Sequence, residues 1–297
     1  AYIWHRSIQT LDVKLKFMEA WSLWSIGTEE SHMRFAKASK ELIDMAPESA
    51  IGYRCLAWHY WRNAITGKAP KESIEKAFKL AQKALTIDES DPFLYPLLSN
   101  LYTLIKQYDK AIAAGEKGVA LLPNGAHNHC ALGITYSFAG EFDEAIAHFM
   151  KAIRLDPFPE YYYFAHLGRC YMHKGQYEKA LSEYKKAQEV SPDNVYVNWL
   201  PAAVYALLGR QKEAEAAAKK VLEIDPKFTV ERASKGWPYR KKTDVIFLAD
   251  ALLKAGLPEK PSLPLPNKPS IAVLAFDNMS QDPEQDFFTD SISESIT

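Results

Sequence analysis

Hydrophobic and small residues follow a helical spacing from residue 126 to residue 159, with one interruption at Gly140. The interruption predicts two short amphipathic helices joined by a turn. One face of the first helix carries Leu132, Gly133 and Tyr136, and the matching face of the second carries Ala145, Phe149 and Ala152. Because Gly133 and Ala145 have almost no side chain, we expect the helices to approach closely there. Pro157 lacks a backbone N–H and predicts the end of the second helix.

The same helical hairpin recurs along the chain in a fixed register. The prolines that follow the second helix are 34 or 35 residues apart: Pro123, Pro157, Pro192 and Pro226. With these aligned, Leu132, Gly133 and Tyr136 fall on Leu167, Gly168 and Tyr171. One hairpin leaves an apolar face uncovered, so stacked copies are needed to bury a continuous core. The pattern predicts an array of about five units over residues 50–228. Its regular members are 92–125, 126–160, 161–194 and 195–228.

Weaker versions of the pattern precede the regular units. Residues 1–49 predict two helices, from about Thr10 to Ser25 and from Thr28 to Met45, which together form a degenerate repeat. Residues 50–89 predict a longer unit with an extended connecting loop. Ser73 follows that loop and is a candidate N-cap of the next helix.

After Pro226 the repeat fades into a predicted cap, residues 229–257. A short helix from Thr229 to Lys235 is expected to break at Gly236-Trp237-Pro238, and a second helix is predicted from Thr243 to Lys254. Terminal repeats of stacked arrays are atypical because their outer face meets water. The basic run Arg240 to Lys242 is interpreted as a solvated turn rather than a nucleic-acid patch.

Five prolines between residues 257 and 270 predict an extended linker, and we set this boundary at 258–269. The apolar run that follows, Ile271 to Phe276, predicts a buried strand. A helix start is predicted from Phe287. A lone strand and helix cannot bury a core, so residues 270–297 are interpreted as the truncated start of a second, α/β domain.

The repeated register resembles the tetratricopeptide repeat, a helix–turn–helix unit of about 34 residues. The resemblance covers the regular units and several positions in each. It implies an all-α fold, a right-handed superhelical solenoid, with the short α/β segment following it.

The final stretch is similar to the start of a TolB-like amino-terminal domain. The similarity rests on the predicted strand and on the groups Asn278-Met279-Ser280, Asp282-Pro283-Glu284 and Phe287-Phe288. The repeats, with residues 237–259, resemble the repeat region of the same bacterial proteins, many of which carry a class III adenylate/guanylate cyclase domain and others a DNA-binding domain. Those proteins place the TolB-like domain before the repeats, whereas here its start follows them. A tandem arrangement or an unusual cut would explain this order.

Composition narrows the choice of partner. The chain has 297 residues, 47% hydrophobic and 25% charged, with a net charge of −1. A near-neutral chain has no global field that attracts nucleic acid or anionic lipid. Three widely spaced cysteines fit a reduced, cytoplasmic chain, and no apolar run approaches the roughly 20 residues that span a bilayer. Because the chain starts on Ala1 and shows no signal-peptide pattern, we expect it to be part of a longer protein.

Candidate chemistry is weak throughout the sequence. His127, His129 and Cys130 form the most metal-like cluster, but helical residues two apart point roughly 200° apart, so the two histidines cannot share one ion. His129 is assigned to the core, and His127 and Cys130 to a groove. Nothing resembles a phosphate loop or a cyclase core. The sequence therefore predicts neither enzyme activity nor a cofactor or metal.

The resemblance to tetratricopeptide repeats implies a concave groove lined by the first helix of each unit. Aromatic and arginine side chains dominate this set, and such residues anchor protein interfaces. The predicted groove residues are Arg54, Trp58, Trp61, Arg62, Phe93, Asn100, His127, Ile134, Phe138, Tyr162, Arg169, His173, Tyr196 and Trp199. For several of them, packing against the neighbouring first helix explains the residue type as well as lining a groove does. Pro96 stands where a clamp for a terminal carboxylate needs lysine, which disfavours that ligand.

Three functions remain open from the sequence. The first is a scaffold that binds a protein or peptide, or a neighbouring domain of the same polypeptide, within a larger bacterial signalling protein. The second is the regulatory region of an adenylate/guanylate cyclase. The third is a passive spacer, for which groove substitutions would change only stability.

Overall fold

The computed structural model describes residues 10–26 and 28–261, and within them the secondary structure is entirely helical. The described part of the chain contains fourteen helices. They are α1 Leu11–Ile26, α2 Glu29–Met45, α3 Ala50–Ile65, α4 Pro70–Ile87, α5 Leu94–Leu104, α6 Tyr108–Leu121, α7 Ala126–Ala139, α8 Phe142–Leu155, α9 Tyr161–His173, α10 Tyr177–Val190, α11 Val195–Leu207, α12 Gln211–Ile224, α13 Val230–Ser234 and α14 Lys242–Lys254.

Consecutive helices pair into hairpins, and the hairpins stack in chain order. The pairs α3/α4, α5/α6, α7/α8, α9/α10 and α11/α12 are the five units of the array, and α1/α2 packs before them. The first helices of neighbouring units also touch, from α3 to α5, α7, α9 and α11. This arrangement is an all-α solenoid and confirms the predicted fold class. The described residues up to 260 form one compact unit.

The core lies where small residues let the two helices of a unit meet. Ala111, Ala145, Ala180 and Ala214 occupy one register position and are fully buried. Phe149 lies against Gly133, where an added Cβ would come within 3.1 Å of its ring. In the next unit an added Cβ on Gly168 would come within 2.6 Å of Tyr184. The predicted close approach of paired helices is therefore confirmed.

The predicted helix ends are also confirmed in the regular units. Helices α6, α8, α10 and α12 each end two residues before the repeated proline. At the turn inside each unit, Gly140, Gly175 and Gly209 adopt positive φ, and Lys106 takes the same conformation with φ of 59°. A left-handed residue there redirects the chain between antiparallel helices.

Ser73 does not cap α4, so that prediction is wrong. The helix begins three residues earlier, because Pro70 fits the first helical position, where its missing N–H costs nothing. Ser73 lies in the first turn and donates a hydrogen bond to the Lys68 carbonyl at 2.8 Å.

The predicted strand at 271–276 and the helix start at 287 lie outside the described residues. Among the described helices, none is both long enough and apolar enough to cross a membrane.

Candidate functional site

The first helices place the predicted groove residues in three different environments. Some form structural contacts inside the solenoid wall, some cluster on α3, α7 and the start of α9, and some are covered by a segment from the C-terminal cap. We call the second set, with its neighbour Tyr161, the N-terminal half of the groove: Trp58, Trp61, Arg62, His127, Tyr161 and Tyr162. We call the third set the C-terminal half: Phe138, Arg169, His173 and Trp199.

Arg54 and its neighbours belong to the wall. Arg54 is 6% exposed and forms an ion pair with Asp91, one Nη1–Oδ1 distance being 2.6 Å. Asp91 also accepts a hydrogen bond from the Phe93 N–H at 2.9 Å, just before α5 begins. The Arg54 guanidinium lies 5.3 Å from the centre of the Phe93 ring. This buried pair joins the second unit to the first, because its members come from α3 and from the segment before α5.

Asn100 and Ile134 are also drawn into the wall. Asn100 is only 6% exposed. Ile134 is half-buried and packs against the hydrophobic core. Both were predicted to line the groove, but Asn100 is buried and Ile134 is half-buried.

The N-terminal half of the groove is a cluster of rings with one cation. The Trp58 ring lies 5.1 Å from Trp61 and 5.5 Å from His127, which comes from α7, two units further along. Arg62 and Tyr161 interact electrostatically across the same space. Trp58 is buried, whereas Trp61, Arg62 and His127 keep part of their surface exposed.

The C-terminal half is filled by residues 237–241, which we call the return segment. It lies between α13 and α14 and contacts α6, α7, α9 and α11. Tyr239 is 1% exposed, and its ring lies 5.1 Å from Phe138. Its hydroxyl is 3.0 Å from the Nε2 of His173. Trp237 stacks on Trp199, with ring centres 5.6 Å apart.

Backbone hydrogen bonds hold the return segment across several units. The Arg240 N–H donates to the Phe138 carbonyl at 2.8 Å, and the Tyr108 hydroxyl donates to the Pro238 carbonyl. The Arg240 guanidinium lies over the Tyr108 ring and pairs with Asp109 at 2.9 Å. The side chains of the run Arg240 to Lys242 are exposed, as predicted for a solvated turn, and that of Arg240 also contacts α6.

Arg169 lies beneath the return segment and is 3% exposed. It donates hydrogen bonds to the Ser137 hydroxyl at 2.9 Å and to the Tyr196 hydroxyl at 3.2 Å. Its guanidinium is 4.1 Å from the Phe138 ring centre and 5.6 Å from that of Tyr239. Its Nε–H is buried and has no acceptor among the described residues. Aromatic faces and hydroxyls thus surround this cation.

The groove histidines are neutral at neutral pH. Burial, with the Arg54 charge, lowers the pKa of His127 to about 4. Burial, with the Arg169 charge, lowers the pKa of His173 to about 3 and holds the pKa of His166 well below its usual range. Positive charge in the groove therefore comes from arginine.

The metal-like cluster separates in the structure. His129 is buried, as expected, and its Nδ1 lies 2.9 Å from the Nδ1 of His148. His127 contacts Trp58 instead, and Cys130 is buried at 1% exposure rather than facing the groove. Within residues 10–26 and 28–261, no group of three or more potential metal-binding side chains converges.

The sequence-based prediction of the groove omitted several residues that contact its members. Tyr161 and His166 lie outside the register positions considered, although both are aromatic residues of a first helix. His166 stacks on Phe149 at 5.9 Å and lies 5.7 Å from Tyr196. Tyr239 was hidden in a predicted break, where two aromatic residues flanking a proline were the only signal.

Comparison with family models confirms the repeats. Residues 168–209 match a model described as a TPR repeat. Residues 126–159 and 202–228 match one described as a tetratricopeptide repeat. This chain therefore contains tetratricopeptide repeats.

Solved structures support the same fold. The chain resembles the Cut9–Hcn1 hetero-tetramer of APC/C with a TM-score of 0.59 and 17% identity, over 81% of this chain and 46% of that one. It resembles a thermophilic TPR protein of Thermus thermophilus with a TM-score of 0.53 and 17% identity, over 66% of this chain and 99% of that one. At these identities the likeness concerns the fold alone.

Two curated proteins share sequence with the chain. Superkiller complex protein 3 of Homo sapiens is 26% identical over 171 residues, which are 57% of this chain and 10% of that protein. Putative adenylate cyclase 3 of Rhizobium meliloti (strain 1021) is 65% identical over 37 residues, 12% of this chain and 6% of that protein. The chain thus spans a tenth or less of the length of these relatives.

Proposed function

We propose that this chain is a protein-interaction scaffold that holds an extended segment of a partner in the N-terminal half of its groove. The observation that carries the proposal is the ring cluster of Trp58, Trp61 and His127 beside Arg62, in which Trp61, His127 and Arg62 keep part of their surface exposed. Tryptophan, tyrosine and arginine supply most of the binding energy at protein interfaces.

The return segment supports an extended ligand. It combines a backbone hydrogen bond to Phe138 with aromatic side chains that pack against the first helices of three units. Extended peptides use this combination, in which the backbone gives affinity and the side chains give specificity. A partner segment in the N-terminal half would make the same two kinds of contact, one or two units away from the return segment.

A peptide-display selection tests this proposal. Random peptides are selected on the full chain, and the Kd of the winners is measured by fluorescence polarisation. We expect Trp61→Ala combined with Arg62→Ala to weaken binding at least tenfold, because two anchors are lost. Phe158→Ala, at an 87% exposed site, is the matched control and should leave the Kd unchanged. Failure to select any binder, or equal binding by both variants, contradicts the proposal.

A second candidate is the regulatory region of a cyclase, favoured by the 65% identity to Putative adenylate cyclase 3. In this case the chain would act within a bacterial signalling protein, with the TolB-like segment as a junction. The test is the parent reading frame: a cyclase domain should be encoded beside these residues, and the Trp61/Arg62 variant should change its activity. Unchanged activity would favour a passive spacer. We also propose a cytoplasmic location, which the three free, buried cysteines support.

A further inference from the structure

The return segment shows what kind of chain the first helices bind. Trp237 and Tyr239 lie two positions apart, outside the helices, with Pro238 between them. The Trp237 ring stacks on Trp199, and the Tyr239 ring centre lies 5.6 Å from the Arg169 guanidinium. The Pro238 carbonyl accepts a hydrogen bond from a tyrosine of α6. Two aromatic side chains and one backbone carbonyl therefore hold this segment against a tryptophan and an arginine.

The proline between the two rings acts through the backbone. A residue that precedes proline is restricted to extended conformations. In a strand-like segment, side chains two positions apart lie on the same side. Both rings of the return segment contact first helices, as this rule predicts. Because the proline has already removed conformational freedom, a segment of this kind loses less of it on binding.

Arg169, beneath the return segment, is covered by rings and not by an acidic group of that segment. Phe138 lies 4.1 Å from its guanidinium, and Tyr239 lies over it as well. Its hydrogen bonds go to the hydroxyls of Ser137 and Tyr196. The return segment carries no acidic residue. A planar, weakly hydrated guanidinium stacks well on an aromatic face, so an aromatic ring is a suitable ligand for an arginine of this groove.

The N-terminal half of the groove offers the same two kinds of group with more of their surface exposed. Trp61 and Arg62 are consecutive residues of α3, and both are half-buried. The Trp58 ring lies 5.1 Å from Trp61 and supports it edge-on. Glu29 already interacts electrostatically with Arg62, so the guanidinium does not require a carboxylate from a ligand.

We propose that the N-terminal half of the groove binds a partner segment of the same class as the return segment, with two aromatic residues separated by a proline. One ring would stack on Trp61 and the other on the Arg62 guanidinium. This inference rests on the proposed function and specifies the chemistry of the ligand. The segment needs no acidic residue and no free chain terminus, because the return segment has neither and continues into α14.

The experiment measures how the immobilised full chain retains three acetylated and amidated peptide libraries with random flanks. Their centres are fixed as Trp-Pro-Tyr, Leu-Pro-Leu and Glu-Pro-Glu. In the full chain the C-terminal half of the groove is already occupied by the return segment. We expect the Trp-Pro-Tyr library to be retained at least about tenfold better than the others, because aromatic anchors supply most of the binding energy. Equal or better retention of the leucine or glutamate library overturns the proposal.

A matched pair of substitutions locates the site. Arg62→Lys keeps the charge but loses the planar guanidinium, and should lower retention of the Trp-Pro-Tyr library about fivefold, the change expected for one cation–π contact. Arg210→Lys is the control, since Arg210 also lies over a tyrosine ring, that of Tyr205, but is not a groove residue. Retention by this variant should be unchanged. No loss with Arg62→Lys, or an equal loss with Arg210→Lys, overturns the proposal.

The outcomes also separate this inference from the proposed function. If selection from random peptides yields binders but the Trp-Pro-Tyr library is retained no better than the others, the scaffold stands and the aromatic–proline–aromatic ligand is wrong. If the full chain selects no peptide and retains none of the libraries, both are overturned. Should Arg62→Lys fail to fold, the comparison of the three libraries on the unmodified chain still decides the proposal.

Discussion

In the C-terminal half of the groove, Arg169 and His173 lie beneath Tyr239, whereas in the N-terminal half Trp61 and Arg62 keep exposed surface. Both halves are built from the first helices of several repeat units, and both present aromatic and arginine side chains. The difference comes from the residues after the array, because the return segment reaches only as far as Tyr108 and Asp109. Repeat register therefore determines which side chains face inward, and flanking sequence determines which of them are available.

The largest expected effect comes from removing the cover. Replacing Trp237 and Tyr239 together by alanine deletes one half-buried and one fully buried ring, and a large aromatic-to-alanine change in a core costs about 3–5 kcal/mol. Urea unfolding should show this loss of stability for the full chain. Phe158→Ala, at a solvent-exposed site, should change stability by less than about 0.5 kcal/mol. Equal effects of the two variants would mean that the return segment does not stabilise the fold.

The next test concerns the wall of the N-terminal half. Asp91→Asn leaves the buried Arg54 charge uncompensated, and breaking such a pair costs about 3–5 kcal/mol. Asp225→Asn is the matched control, since its pair with Arg232 is partly exposed to solvent and should contribute less than about 1 kcal/mol. The comparison needs only the urea midpoints of both variants. Similar midpoints would argue against a structural role for the Arg54 pair.

A smaller effect is expected where paired helices touch. Gly168→Ala places a Cβ 2.6 Å from Tyr184 and 3.1 Å from the Ala180 carbonyl, so overpacking should cost about 1–3 kcal/mol. Gly133→Ala has the Phe149 ring as its nearest neighbour, at 3.1 Å, and should cost less. Thermal unfolding of the two variants gives the order. A reversed order would contradict the packing described for α9 and α10.

The last comparison separates the two halves of the groove by pH. The pKa of His173 is about 3, below its value in the unfolded chain of about 6.5. Its contribution to stability is therefore complete above pH 6.5 and is lost towards pH 3, by at most about 1.4 kcal/mol per pH unit. His173→Gln should flatten this dependence, as followed by urea unfolding between pH 4 and 7.

His127→Gln is the matching change in the N-terminal half. The pKa of His127 is about 4, so the pH range over which its contribution to stability is lost is narrower. If His173→Gln leaves the pH dependence intact, the His173 contact with Tyr239 does not contribute to acid sensitivity.

The fold was largely predictable because its determinants are local. Pro157 and its counterparts end helices through backbone chemistry that does not depend on the rest of the molecule. Gly133 and Gly168 mark close contacts between neighbouring helices in sequence. Ser73 was misassigned because two start signals competed, and Pro70, three residues earlier, has the stronger conformational preference.

The groove was predictable only in part, because its contacts are not local. Register predicted Arg54 on the inner side. In the structure Arg54 instead forms a buried ion pair with Asp91, which is 37 residues later in the chain. The same holds for Arg240, whose contact with Asp109 joins residues 131 positions apart. Neither pairing follows from a helical period. The peptide-binding role of the predicted groove side chains stays a prediction until a ligand is tested.

The hydrogen bond from Tyr108 to Pro238 also affects how the molecule folds, because it joins residues 130 positions apart in an array whose other contacts are mostly between neighbours. Open repeat arrays can nucleate anywhere and unfold from their ends. Because the return segment joins the last helices to α6, it closes a long loop and couples the units between them. We therefore expect the side of the array nearest α14 to be protected from fraying, and the long-range contact to add to the loop-closure entropy of folding.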